Sequence, residues 1–310
     1  MVKETFINIQ MKKIIVLGGG WSTEREVSLN SMAQTYKAIK SFHPYTEKKD
    51  IKIADDLVSI LEEDLENILI FPCLHGKGGG EDGAIQAFLE LHKIEYVGSR
   101  AKQSSLALDK VKTKKLMESQ GLPVLPQEMY NKKKKPKFKG FNHRLIVKPI
   151  NEGSSIDTTL IETDEDWENL SVSKKCLVEP YIKGRELTVG VMDAGKKIKS
   201  LGVIEIKPKK ESFYNYKSKY TSGETEYIKR PKNLGTSIQN KIKKYALNAH
   251  KTLGCKSFSR SDFIMDDENI WYLETNTIPG MTNLSLLPLS AQKAGFGFKK
   301  FLMMVLSEYE

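Results

Sequence analysis

Asp262, Glu274 and Asn276 are three oxygen donors within the stretch 257–280, which reads SFSRSDFIMDDENIWYLETNTIPG. Two runs with alternating side chains, 258–265 and 270–275, flank the turn-rich Asp266-Asp267-Glu268-Asn269, the pattern of a β-hairpin. Such a hairpin brings Asp262 on its first strand close to Glu274 and Asn276 at the end of its second. Two carboxylates and an amide are hard ligands, the set that Mg²⁺ takes when phosphate oxygens fill the rest of its shell. Arg260 alternates with Asp262 and shares its face. Taken alone, the hairpin also reads as a solvated surface ribbon with ordinary acids, and the rest of the chain decides between the two.

Three Gly- or Ser-rich loops lie upstream, the first of them, read alone, a weak anion-loop signal. The apolar run 13–17 (KIIVL) ends in Gly18-Gly19-Gly20, a buried parallel strand entering a Gly-rich loop. The loop is not a dinucleotide fingerprint, because Thr23 stands at the third glycine position. Glu24 precedes the helix expected over 26–39, where an acid also suits the helix dipole. The second loop, His75-Gly76-Lys77-Gly78-Gly79-Gly80-Glu81-Asp82-Gly83, follows the run 65–74, and its glycines permit close backbone approach. His75 stands at a strand end, where open parallel sheets bind ligands, although a lone histidine also reads as a structural one. In the third, the run 144–149 (RLIVKP) delivers Lys148 to Asn151-Glu152-Gly153-Ser154-Ser155. Backbone N–H groups and hydroxyls there suit a phosphate, and Lys148 supplies a point charge.

The elements that must position these residues begin as strands alternating with helices: a helix over 84–91 and a short strand at 96–97 complete an open parallel sheet. An amphipathic helix over 106–120 ends at Gly121-Leu122-Pro123. Strands follow at 176–182, 186–192 and 200–206. The stretch 208–232 lacks apolar periodicity and has the length of a lid or a disordered loop. A helix over 238–252 leads into the hairpin, and helices over 286–294 and 298–307 close the chain.

A chain of 310 residues holds one to three domains and a sizeable core. With 39% hydrophobic and 28% charged residues it is of the soluble globular class, and no apolar run approaches the ~20 residues of a membrane span. Residues 1–13 carry charge but no apolar stretch, so they are not read as a secretory signal. Cys73, Cys176 and Cys255 are scattered without CxxC spacing, which points to a reducing cytosol and a cytoplasmic protein. The net charge of +10 is spread along the chain. Its one dense run, 132–135, has Phe138 and Phe141 nearby but no nucleic-acid-binding pattern, and reads as a solvated loop. An anionic substrate accounts for part of the excess.

Eight motifs occur in one order: GGWSTEREVSLNS, LHGKGGGEDG, SLALDKVKTK, VKPINEGSS, VEPYIKGRELTV, FYNYKSKYTSGETEY, SRSDF and LETNTIPGMTNLSLLP. Together they resemble the D-alanine–D-alanine ligases of the ATP-grasp superfamily, from Met11 to the C-terminus. The resemblance implies an α/β and α+β fold, an N-terminal open parallel α/β domain followed by a two-part ATP-grasp fold. The substrate domain would span 1–100, the central ATP-grasp subdomain 101–185, and the C-terminal catalytic domain 186–310 with a mobile lid at 208–232. It further implies a cytoplasmic homodimer acting on ATP and two D-alanine molecules, with no nucleic-acid or membrane partner.

The same resemblance assigns residues. Lys110 and Lys148 would contact the phosphates, with Ser155 and Lys219 at the same site. Glu179, Tyr181 and Ile182 would read the adenine edge, and Glu186 would take the ribose hydroxyls. Asp262, Glu274 and Asn276 would hold two Mg²⁺ ions, with Mn²⁺ as a substitute. Glu24, Ser154 and Tyr220 would fix the ammonium of the first D-alanine, and His75 would lie beside its carboxylate. Ser285 and Leu286 would hold the carboxylate of the second. Arg260 and the Gly280 N–H would stabilise the oxyanion.

The chain departs from the family pattern at three places. HGKGGGEDG carries one glycine more than HGxxGEDG, which is expected to shift His75 relative to the acids behind it. Asp157 stands where glycine is usual, narrowing the loop's freedom and bringing a carboxylate near phosphates. Pro180 replaces a lysine often seen beside the adenine. Two other readings stay open: an ATP-grasp ligase joining a different carboxylate and amine, and a non-catalytic nucleotide-binding protein. TEREVSLNS and Lys219-Tyr220 argue against the rival ligase, because they belong to substrate recognition and not to ATP binding.

Overall fold

The computed structural model describes residues 12–154, 156–194, 197–209 and 225–309. The first sheet is parallel, in the order β2-β1-β3, from β1 (Lys13–Gly19), β2 (Thr46–Ile51) and β3 (Ile68–Pro72). Helix α1 (Arg25–Lys40) joins β1 to β2, a 3-10 turn (Ala54–Ile60) precedes β3, and α2 (Ala84–Leu91) follows it. Ile14 and Val16 of β1 face one core and Ile15 and Leu17 another, which explains the unbroken apolar run there. The first of these cores also takes Leu287, Phe301 and Val305 from near the C-terminus, so the two ends of the chain close on each other. β2, TEKKDI, buries only its end residues Thr46 and Ile51, so it carries no apolar run for sequence reading to find. Tyr96 makes a single parallel bridge to Ile70, and the strand expected at 96–97 is no more than that bridge.

The helix expected over 106–120 is two helices, α3 (Ala101–Leu108) and α4 (Lys110–Ser119). Asp109 between them is extended, and its side chain accepts from Lys112 N at 3.0 Å. This is an N-cap, which starts a new helix by satisfying one of its free N–H groups.

The second sheet is antiparallel, in the order β4-β7-β5-β6, from β4 (Glu128–Met129), β5 (Leu145–Pro149), β6 (Thr159–Ile161) and β7 (Cys176–Pro180). A short helix, α5 (Asp164–Asn169), adds Trp167 to a core with Leu145, Val147 and Val178. Alternation turns Ile146, Lys148 and Glu179 to the opposite face, with Ile146 and Glu179 paired across the strands.

The third sheet is antiparallel in the order β10-β9-β8-β11-β12. Its strands are β8 (Arg185–Asp193), β9 (Ile198–Pro208), β10 (Thr225–Ile228), β11 (Phe258–Met265) and β12 (Ile270–Asn276). Part of the stretch expected to be irregular, 208–232, is therefore strand: residues 225–228 pair with 205–208 of β9. Helix α6 (Thr236–Leu253) packs Ile242, Ala246, Ala249 and Leu253 on Leu187, Val189, Phe263 and Tyr272, and Gly254 ends it in the left-handed conformation. Helices α7 (Leu286–Lys293) and α8 (Phe298–Leu306) belong to the core that joins the two chain ends. The three cysteines are buried and free, and no helix among the described residues is long and apolar enough to cross a membrane.

Candidate active site

Two cavities lie side by side and share Lys110, Glu152, Asp262 and Glu274 in their walls. The first runs between the two antiparallel sheets and is lined by Lys148, Glu179, Tyr181, Ile182 and Glu186. The second opens toward the N-terminal loops and is lined by Glu24, His75, Ser154, Arg260, Asn276, Gly280, Ser285 and Leu286. Every described residue to which the resemblance assigns a role lines one cavity or the other. Ser155, Lys219 and Tyr220 lie outside the described residues, as does most of 208–232.

The shared wall is built by the hairpin. Asp262 stands opposite Glu274, and Arg260 opposite Asn276, all on the face turned away from the Phe263 core. The register slips between Asp262 and Phe263, because Phe263 pairs with Tyr272 and leaves Leu273 as an extra residue. This bulge corrects the expectation of two plainly alternating strands, and it turns the consecutive Leu273 and Glu274 both toward the first cavity.

Asp262 Oδ1 accepts from Thr188 Oγ1 at 2.6 Å, and its two oxygens take Arg260 Nε and Nη2 at 3.0 and 2.9 Å. Glu274 lies 3.4 Å from Lys110 Nζ, which also donates to the Glu152 carbonyl. Asn276 holds the loop behind it, accepting from Ile278 N at 2.9 Å and donating to Glu81 at 3.3 Å. Among the described residues no group of three or more His, Cys, Asp and Glu forms a metal cage. Two carboxylates at the wall shared by the two cavities, with the Asn276 amide beside them in the second, fit Mg²⁺, which keeps only one or two protein carboxylates and completes its octahedron with phosphate and water.

In the second cavity, Glu24 is 4% exposed and stands at the N-terminus of α1, where Arg25 ties the helix to β2 through Nη2, 2.8 and 2.7 Å from the two Asp50 carboxylate oxygens. Ser154 Oγ donates to Glu24, across from the opposite side of the cavity. His75 is 2% exposed, with Nδ1 3.0 Å from the Ile278 carbonyl and Nε2 3.0 Å from Ser31 Oγ. A proton on Nδ1 satisfies both bonds, with the Ser31 hydroxyl donating to Nε2. The loop with the additional glycine keeps His75 Nδ1 3.7 Å from Glu81 Oε1, so the two remain neighbours. Gly76 in that loop has φ of 77°, and a Cβ there would meet Ser22 Oγ at 2.7 Å, so both conformation and space require glycine.

At the far end Ser285 is the residue before α7, and its Oγ lies 3.1 Å from Thr282 N and 2.8 Å from Thr282 Oγ1. A Cβ on Gly280 would stand 2.7 Å from Ser285 Oγ. The closeness of the Gly280 backbone to this loop therefore depends on the missing side chain.

In the first cavity, Glu179 is 2% exposed and is shared by two lysines, with Lys148 Nζ 2.6 Å from Oε2 and Lys114 donating to Oε1. Burial opposes ionisation of Glu179, but Lys114 and Lys148 outweigh it and hold the carboxyl below its usual range. Burial pushes the Lys114 ammonium down to about 8, with Glu179 opposing that shift. Sequence reading missed Lys114, Glu81 and Thr188. The signal for Lys114 was its spacing: Lys110, Thr113, Lys114 and Met117 form the buried i, i+3, i+4, i+7 stripe of α4. Asp157 adopts the left-handed conformation that glycine favours, φ 54°, and its carboxylate pairs with Lys174 at 3.1 Å, which offsets its charge.

This pairing of sheets around a cleft is the ATP-grasp architecture, and the chain belongs to the D-alanine–D-alanine ligase family. The family description "D-ala D-ala ligase C-terminus" matches residues 116–307. The chain is 37% identical over 311 residues to the D-alanine–D-alanine ligase of Geotalea uraniireducens (strain Rf4), covering 98% of this chain and 97% of the relative. It is 37% identical over 308 residues to that of Sinorhizobium fredii (strain NBRC 101917 / NGR234), covering 96% of this chain and 97% of the relative. Among crystal structures it is similar to the Bacillus anthracis D-alanine–D-alanine ligase complexed with ATP, with a TM-score of 0.75, 27% identity, and coverage of 94% and 95% of the two chains. It is also similar to the VanG D-Ala:D-Ser ligase of Enterococcus faecalis, with a TM-score of 0.79, 27% identity, and coverage of 96% and 99%.

Proposed function

We propose that the protein joins two D-alanine molecules into D-alanyl-D-alanine at the expense of ATP, in the cytoplasm, for peptidoglycan precursor synthesis. The observation that carries this reading is the common wall of Lys110, Glu152, Asp262 and Glu274 between a cleft lined by Lys148, Glu179, Tyr181 and Glu186 and a cavity holding the buried carboxylate of Glu24. A phosphoryl group bound at that wall faces both. The names of the relatives and the ATP complex of the Bacillus anthracis enzyme support the choice of substrates.

In this reading adenine lies against Glu179, Tyr181 and Ile182, the ribose hydroxyls meet Glu186, and Lys110 and Lys148 neutralise phosphate oxygens. Asp262, Glu274 and Asn276 would hold Mg²⁺, two ions by the family pattern, which supplies charge neutralisation for the transferred phosphoryl group. Glu24, with Ser154, takes the ammonium of the first D-alanine, and His75 and Glu81 brace the loops around it. A carboxylate oxygen of that D-alanine bonds to the γ-phosphorus as the bond to ADP breaks, giving D-alanyl phosphate. The amine of the second D-alanine, with its carboxylate at Ser285 and the N-terminus of α7, bonds to the acyl carbon and loses a proton. Arg260 and the Gly280 N–H face the oxyanion, and phosphate leaves with the oxygen it gained. Tyr220 and Lys219 join this site by resemblance alone, within a lid at 208–232. The domain limits 1–100, 101–185 and 186–310 and a homodimer complete the proposal.

The test follows one oxygen atom. D-alanine labelled with ¹⁸O in its carboxylate should transfer one label to inorganic phosphate for each dipeptide formed. Unlabelled phosphate accompanying dipeptide would overturn the acyl phosphate route.

A further inference from the structure

Two lysines share the buried face of α4 and have different surroundings. Lys110 lies at the junction of the two cavities, against Glu152 and Glu274. Lys114, one turn further, has a side chain 1% exposed and is among the largest fully buried side chains of the protein. Its ammonium reaches Glu179 Oε1 on β7, while Lys148, with a 13% exposed side chain lining the cavity, sits 2.6 Å from Oε2 of the same carboxylate. One carboxylate in the cavity wall is thus held by a sealed cation from behind and by a cation facing the cavity in front.

We propose that Lys114 is a positioning residue for nucleotide binding: it is the fixed counter-charge of Glu179, and it leaves Lys148 able to exchange Glu179 for a nucleotide phosphate. This rests on the reading of the first cavity as the nucleotide site. A buried ion pair is a poor source of stability compared with apolar packing, so a lysine sealed against a carboxylate calls for another reason. Lys114 and Lys148 together hold the Glu179 carboxyl ionised against its burial. Without Lys114, Lys148 would be the sole counter-charge of a buried carboxylate, and its pull toward a phosphate would leave that charge uncompensated. An ionised Glu179 is an acceptor only, which suits a base presenting an amine at the cavity wall and disfavours one presenting a carbonyl.

The test is a double-mutant cycle on the full-length enzyme with Lys114→Met, Glu179→Gln and the pair together, reading KM for ATP, KM for D-alanine, kcat and the calorimetric Kd of ATP. Lys114→Met should raise KM and Kd for ATP about tenfold while KM for D-alanine changes less than about twofold. In the Glu179→Gln background, loss of Lys114 should change the Kd of ATP by less than about twofold, because the group through which Lys114 acts is already neutral. This second comparison stands even where Lys114→Met alone fails to fold. An equal loss of ATP affinity in both backgrounds, or unchanged ATP affinity with only a lower melting temperature, would overturn the proposal. Failure of the wild-type enzyme to bind ATP would instead overturn the reading of the cavity itself.

Discussion

Asp262 stands directly opposite Glu274 on the β11–β12 ladder, and each acid has its own cation: Arg260 at 2.9 Å from Asp262 and Lys110 at 3.4 Å from Glu274. The four side chains bring acidic and basic groups together at the wall where the two cavities meet. Glu274→Gln keeps the shape of the side chain and removes the charge that would face a metal. Turnover should fall by at least about a hundredfold at ordinary Mg²⁺, with the circular dichroism spectrum and melting curve close to wild type. Near-normal activity would mean that Glu274 is only a solvated acid.

The hairpin turn that aims these residues gives a separate stability prediction. Asp266 accepts from Glu268 N and Asn269 N at 2.9 and 2.6 Å and from Trp271 Nε1 at 2.8 Å. Burial raises its pKa, but these donors outweigh burial and hold the carboxyl below its usual range. Asp266→Ala should cost about 1 kcal/mol at pH 7, the low end for a charged acceptor because the side chain is partly solvated. The native pKa lies below the unfolded one, so the contribution is complete above the unfolded value and fades as pH falls through the native value. Urea unfolding of both proteins at pH 7 and pH 3 should show the gap narrowing at pH 3. A gap that widens on acidification would contradict the assignment.

Gly280 permits a close approach that any side chain would disturb. The Cβ of an alanine there would lie 2.7 Å from Ser285 Oγ, so Gly280→Ala must displace the Ser285 hydroxyl from its bonds to Thr282 at the end of the second cavity. A shift of this kind should lower kcat/KM for the second D-alanine by about ten- to a hundredfold. Gly280→Ala with Ser285→Ala removes the clash but also a polar group, and should recover part of the loss. No recovery would place the damage elsewhere.

The identity of the second substrate is checked by competition. With D-alanine, D-serine and D-lactate supplied together at pH 7, the main product should be D-alanyl-D-alanine. Its formation should rise from pH 6 to 9 as the attacking amine loses its proton, whereas a hydroxyl nucleophile gives no such rise. A majority of D-alanyl-D-serine or D-alanyl-D-lactate would assign a different acceptor.

What was legible in the sequence follows from what each element buries. β1 is sandwiched between two cores and reads as an unbroken apolar run; in β11 buried Ser259, Ser261 and Phe263 alternate with the half-buried Arg260 and Asp262. β2 carries mostly polar side chains and β10 is a four-residue strand, and both lie at the edges of their sheets, so strand pairing rather than apolar pattern makes them strands. The bulge at Leu273 was hidden because one additional residue breaks a period of two without adding any turn residue. Asp109 looked like an ordinary polar position of one helix until its capping bond was seen. Lys114 was missed because lysines in DKVKTK look solvated: its spacing from Lys110, Thr113 and Met117 marks the buried stripe, but its partner Glu179 lies 65 residues away in sequence. Asp157 looked repulsive to phosphate until Lys174 was found beside it.

The central claim is that phosphoryl transfer from ATP is coupled to D-alanine at the wall of Lys110, Asp262 and Glu274. The most direct measurement follows inorganic phosphate and dipeptide together, with ATP and Mg²⁺, as D-alanine is added. Phosphate release should be negligible without D-alanine, rise with its concentration, and match D-alanyl-D-alanine one for one. Phosphate release that is indifferent to D-alanine, or that proceeds without dipeptide, would contradict the account.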